Sequence, residues 1–123
     1  MMRLMLISAA SLMLAAPATL SRDSKIPEAT PVGKPVDCLS LTQIRNTRVR
    51  SDSIIDFYVG GGKVYRNTLP MACPQLGFEE RYLHKTSTND ICSRDTITVL
   101  QSGGMIEGPS CGLGKFQPVT LAE

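Results

Sequence analysis

Apolar and polar positions alternate most clearly between residues 53 and 69, on either side of three consecutive glycines. Ile55, Phe57, Val59 and Tyr65 fall on one face, and Ile54, Asp56, Tyr58, Val64 and Arg66 on the other. A period of two in β-branched and aromatic residues predicts strands. Gly60, Gly61 and Gly62 predict the loop between them, because glycine reaches positive φ at no steric cost. A three-residue loop sets Val59 opposite Lys63, Phe57 opposite Tyr65 and Asp56 opposite Arg66. The first face then suits the core and the second a partly wet surface. Residues 96–100 alternate in the same way, with Ile97 and Val99 on one face and threonines on the other, and Gly103-Gly104 predicts the turn after them. Residues 47–50 predict a short strand ended by Ser51-Asp52-Ser53; Tyr82, Leu83 and His84 predict another, and a last run lies around Phe116 and Val119. Residues 38–44 fit either a helical turn capped by Ser40 and Gln43 or a strand with Leu39 and Leu41 alternating. The pattern predicts an all-β fold, a small antiparallel barrel or sandwich of about six to seven short strands.

The first residues change the picture of compartment. Arg3, the apolar residues 4–15 and the small-residue site Ala16-Pro17-Ala18 have the order of a secretory signal, so residues 1–18 are expected to be removed and Thr19 to begin the mature chain. The apolar stretch is too short to cross a hydrocarbon core that needs roughly 20 residues, so no transmembrane span is expected after cleavage. Loss of Arg3 leaves 12 of the 13 basic side chains against 11 acidic ones. That balance supplies no broad field for nucleic acid, and neither does an exported compartment. Residues 19–37, with Pro27, Pro31 and Pro35 among scattered apolar groups, predict an extended Pro-rich tether, disordered and mobile, ahead of a β domain at 38–123.

A domain of this size has a modest core, with no tryptophan. Cys38, Cys73, Cys92 and Cys111 are even in number in an exported chain, which predicts two disulfides. Of the three possible pairings, Cys38 with Cys111 and Cys73 with Cys92 is favoured: the first ties the start of the domain to its end, the second closes the loop after the hairpin. Zinc is disfavoured because the cysteines lack closely spaced pairs, so no metal or cofactor is expected.

The order of Cys38, Ile44-Arg45, Val49 and Asp52, of Gly61 and Tyr65 in the hairpin, of Leu69-Pro70, Cys73-Pro74 and Leu76, of Cys92, Asp95 and Ile97, and of Cys111, Leu113-Gly114, Phe116 and Pro118-Val119 resembles a family of small exported bacterial proteins classed as a domain of unknown function. The resemblance covers residues 38–119 and rests on the four cysteines with their neighbours. It implies an envelope protein with an all-β, cystine-stapled domain, and it brings no activity, substrate or catalytic residue.

Candidate chemistry is sparse. Gly60-Gly-Gly-Lys63 has the composition of a phosphate loop, but Val64-Tyr65 continue as a strand where that loop needs a helix. His84 is the only histidine; Ser87, Asp90 and Asp95 are near it in sequence without a nucleophile motif. Asp52 with Asp56, Glu79 with Glu80, and Asp90 with Asp95 are the candidate carboxylate pairs. Arg45, Arg48 and Arg50, with Arg66 and Tyr58, predict a basic patch for an anionic group of an envelope polymer or protein. The reading favoured by these residues is a noncatalytic binding or structural module. A small periplasmic hydrolase, or an inhibitor of an envelope hydrolase, is the alternative.

Overall fold

The computed structural model describes residues 26–103 and 106–122. The expected leader at 1–18 and residues 19–25 lie outside the described residues, as does Gly104. Ten strands are present among the described residues: β1 (Ala29–Pro31), β2 (Cys38–Ser40), β3 (Ile44–Val49), β4 (Ile54–Val59), β5 (Lys63–Thr68), β6 (Tyr82–Leu83), β7 (Asp90–Cys92), β8 (Thr96–Gln101), β9 (Ile106–Gly112) and β10 (Phe116–Leu121). They form a five-stranded sheet in the order β1-β10-β5-β4-β3, a pair β2-β7 and a three-stranded sheet β6-β8-β9, with every pairing antiparallel. The all-β expectation is met. The barrel is not, because no sheet closes on itself: β1 and β3 remain the two edges of the largest one. The strands beyond the expected number are segments of two or three residues, too short to leave an alternating signature.

The β4–β5 hairpin has the register that the glycine loop predicts, with Val59 opposite Lys63, Phe57 opposite Tyr65 and Asp56 opposite Arg66. Gly61 (φ 84°) and Gly62 (φ 75°) supply two successive left-handed residues, a combination that a side chain would strain. Ile55, Phe57 and Val59 are buried on the inner face, together with Phe116 of β10, whose ring meets that of Phe57 edge-on at 5.2 Å. They pack against Leu39 and Ile91 of β2 and β7, and against Ile97 and Val99 of β8, so the core lies between the large sheet and the two small ones. Asn67 is buried on the same inner side and treats Gly114 as a strand partner would: its amide nitrogen donates to the Gly114 carbonyl at 2.7 Å, and its oxygen accepts the Gly114 N–H at 2.8 Å.

Three expectations differ. The stretch from 26 to 37 is tied to the sheet: β1 pairs with β10, and Val36 exchanges backbone hydrogen bonds with Phe116 at 2.9 Å each way. Proline is compatible with this position because an edge strand leaves one side of its backbone unpaired. The disulfides join Cys38 to Cys92 and Cys73 to Cys111, replacing the favoured Cys38–Cys111 and Cys73–Cys92 pairing. The cause is strand pairing, since β2 and β7 set Cys38 directly opposite Cys92 with their Cα atoms 4.0 Å apart. The strand expected around His84 is limited to β6. The residues before it, Leu76–Glu79, form a single helical turn ending in left-handed Glu80. Residues 38–44 use both of their options, as β2 followed by a 3-10 turn at Leu41–Gln43, and Ser40 makes no side-chain cap bond there.

Candidate functional site

The five residues of the expected basic patch divide between the two faces of the large sheet. On β4, Asp56 and Tyr58 alternate away from the core, and the register sets Arg48 of β3 and Arg66 of β5 on either side of Asp56. Arg50 reaches the same carboxylate as the chain leaves β3, where its N–H bonds to the Ile54 carbonyl at 2.8 Å. Asp56 is fully buried. Its Oδ1 accepts Arg66 Nε at 2.8 Å, and its Oδ2 accepts both Arg66 Nη2 and Arg50 Nε at 2.9 Å. The Arg66 fork is therefore bidentate, the strongest geometry for this pair. Two further donor contacts follow: Arg66 Nη2 donates to the Pro27 carbonyl at 3.0 Å, and Arg50 Nη2 to the Tyr58 hydroxyl at 3.0 Å.

This outer network is closed. Arg50 and Arg66 have their side chains about nine-tenths covered and cross-link β3, β4, β5 and the N-terminal segment through one carboxylate. Two cations around one buried anion make it an anchor, and no further anion is required to satisfy them. Arg48 stays exposed, with its guanidinium carbon 5.9 Å from the centre of the Tyr58 ring, a cation–π contact worth about 0.5–1 kcal/mol at such a site. It borders a shallow cleft of about 400 Å³ shared with Asn46, Arg50 and Glu80.

Arg45 belongs elsewhere. The β3–β4 register slips between Ile44 and Asn46, so Arg45 is the extra residue of a β-bulge, and bulges re-aim the side chain they carry. Its guanidinium lies alongside Gly60 and lines a cleft of about 480 Å³ with Lys63, Gln43, Ser40, Tyr65 and Leu39. The lining is drawn from the ends of β3, β4 and β5 and from β2, so the cleft opens at the seam between the large sheet and the β2–β7 pair. It contains two cationic side chains and no carboxylate. Among the described residues, the side chains of Arg45 and Lys63 have no ion-pair or hydrogen-bond partner. Lys63 was missing from the sequence-derived patch. Its only signal was its place directly after the glycine loop, where it completes the composition of a phosphate loop that the strand at Val64-Tyr65 argues against.

The histidine is committed to the fold. His84 Nε2 lies 3.0 Å from Asp95 Oδ2, and the same oxygen accepts the Cys92 N–H at 2.8 Å. Asp95 also receives the Leu113 N–H on its carbonyl and donates its own N–H to the Cys92 carbonyl, so it pins the turn beside the Cys38–Cys92 disulfide. The Cys92 N–H, and after it the His84 contact, hold the Asp95 carboxyl below its ordinary range. Ser87 and Asp90 are exposed, and neither bonds to His84. Of the other carboxylate candidates, Asp52 Oδ1 accepts the Gly77 N–H at 2.7 Å and Glu79 Oε1 accepts the Ser102 N–H at 3.0 Å. All four cysteines are oxidised, so none is a nucleophile or a metal ligand. No helix of the described residues is long and apolar enough to cross a membrane.

No family model matches the chain, and neither the curated proteins nor the solved structures contain a match to it.

Proposed function

We propose that the chain is an exported, noncatalytic binding module of the bacterial envelope that holds an anionic polymer or protein partner without transforming it. The observation that carries this reading is the division of labour among its charged groups. Every group with catalytic chemistry whose contacts are described above braces the fold: Asp56 by two arginines, Asp95 by a backbone N–H and the only histidine, and all four cysteines by disulfides. The cations Arg45, Lys63 and Arg48, by contrast, are presented at clefts on the surface. Export is supported by the leader pattern of residues 1–18 and by the two disulfides, which form and persist in oxidising compartments. The resemblance to small exported four-cysteine proteins points the same way.

The test is co-sedimentation of the purified, oxidised protein with isolated cell-wall polymer, at low and at high salt, with release of polymer fragments followed in parallel. The expected result is retention at low salt, release at high salt and an intact polymer, because contacts between exposed charges are screened. Neither retention nor cleavage would defeat the polymer-binding form of the proposal. Cleavage that disappears in His84→Ala would establish the hydrolase instead. The His84–Asp95 contact is the one observation favouring that second reading, yet neither residue lines the clefts at Arg45 or Arg48.

A further inference from the structure

We infer that the cleft between Arg45 and Lys63 is an oxyanion-binding site that takes the carboxylate or phosphate group of a small ligand of sugar or amino-acid size. The inference deepens the binding-module reading and rests on it for biological purpose, while the site itself rests on four observations. First, the cleft holds two like charges with no anion among its lining residues. The same fold shows what it does with arginines that serve structure: it supplies Asp56 to Arg50 and Arg66 at 2.8–2.9 Å. Arg45 and Lys63 are given no such partner among the described residues.

Second, the placement of Arg45 is a specific backbone feature. In a regular ladder the residue after Ile44 would face Tyr58. The bulge passes that place to Asn46 and turns Arg45 toward Gly60 and the seam. Third, topology sets the spacing of the two cations. Val59 lies opposite Ile44 on one side and Lys63 on the other, so the strands bearing Arg45 and Lys63 are separated by two inter-strand spacings, about 10 Å. Two long side chains across that gap leave room for a small anion, which the planar Arg45 fork can meet bidentately and the Lys63 ammonium as a point charge.

Fourth, the rest of the lining suits an organic body attached to the anion. Gln43, Ser40 and Tyr65 carry side-chain donors and acceptors, while Leu39 and Val59 are apolar. A volume of about 480 Å³ lies within the range of small-molecule sites and is too small for more than a terminal unit of a polymer.

The experiment is an amide-resolved NMR titration of the oxidised full chain, with inorganic phosphate in one arm and glucuronate in the other. The expected result is saturable shifts centred on the amides of residues 38–40, 45 and 60–63. Arg45→Ala with Lys63→Ala should weaken binding about tenfold or more, Arg45→Lys should weaken it severalfold by removing the fork, and Lys85→Ala, at an exposed lysine 3.4 Å from Glu107, should leave it unchanged. Saturation by phosphate alone identifies a phosphate ester as the ligand class, and tighter binding of glucuronate identifies a sugar carboxylate. Shifts centred on Arg48, or a double variant that binds as tightly as the parent, overturn the inference. Polymer retention read on the same proteins keeps the two proposals apart. Retention without anion binding at the cleft removes the site and leaves the module, whereas anion binding without retention removes the polymer-holding reading and leaves the site.

Discussion

Two pairs of cations on one sheet are treated in opposite ways. Arg50 and Arg66 on the outer face are nine-tenths covered and converge on a buried carboxylate that uses both oxygens to receive them. Arg45 and Lys63, at the end of the same three strands, line an open cleft without a carboxylate. The residue types are nearly the same, so the difference comes from whether a guanidinium reaches a carboxylate. A cation that reaches Asp56, as Arg50 and Arg66 do and the exposed Arg48 opposite it does not, becomes a cross-link between strands. A cation moved away by a bulge becomes available to a ligand. Arginine in this fold therefore has no single meaning, and a patch drawn from arginine positions alone mixes both uses.

The comparison can be broken most severely at Asp56. Asp56→Ala leaves Arg50 and Arg66 without their anion in a covered site and should destabilise the fold by about 3–5 kcal/mol, measured by chemical denaturation. A loss below about 1 kcal/mol would mean that the outer network is as dispensable as a surface ion pair. Removal of the Cys38–Cys92 disulfide, which closes a separation of 54 residues, should cost about 4 kcal/mol in the chain-entropy model. Because Cys38 lines the cleft, Cys38→Ser with Cys92→Ser should also weaken anion binding in protein that remains folded, and unchanged affinity would separate the cleft from the disulfide.

The pH dependence follows from Asp95. Its folded carboxyl titrates below the unfolded one, so ionised Asp95 stabilises the fold above the ordinary carboxylate range. That contribution declines as pH falls through the ordinary range and is gone below the depressed folded value. Asp95→Asn should flatten this part of the stability profile; an unchanged acid limb in thermal melts would assign the dependence to another group. The smallest effect on stability is expected at the cleft. Arg45→Ala and Lys63→Ala should each change it by within about 0.5 kcal/mol while weakening anion binding, so the two cationic regions should separate cleanly into stability and affinity. A large destabilisation by Arg45→Ala would make that residue a brace as well.

The hairpin was legible in the chain because its determinants are local. Three glycines set the loop, and the loop length sets every pair from Val59–Lys63 to Asp56–Arg66. The inward faces of β4 and β8 followed from alternation for the same reason. Alternation also assigned Asp56 to the wet side, and there it misled. It reports which side of a strand a residue is on, whereas burial depends on what covers that side, and here Arg50, Arg66 and the segment at Pro27 do so.

From the sequence alone came the all-β class, the register of the central hairpin, the presence of two disulfides and the cationic residues from which a site could be made. Only the tertiary structure decided which cysteines meet, that the proline-rich segment carries an edge strand, that Asp56 is buried, and that Arg45 stands with Lys63 away from Arg48, Arg50 and Arg66. The physical reason is sequence distance. Cys38 and Cys92, Pro27 and Arg66, and Arg45 and Lys63 become neighbours through strand pairings and a bulge whose energies are shared across whole sheets, and no short window of residues carries that information.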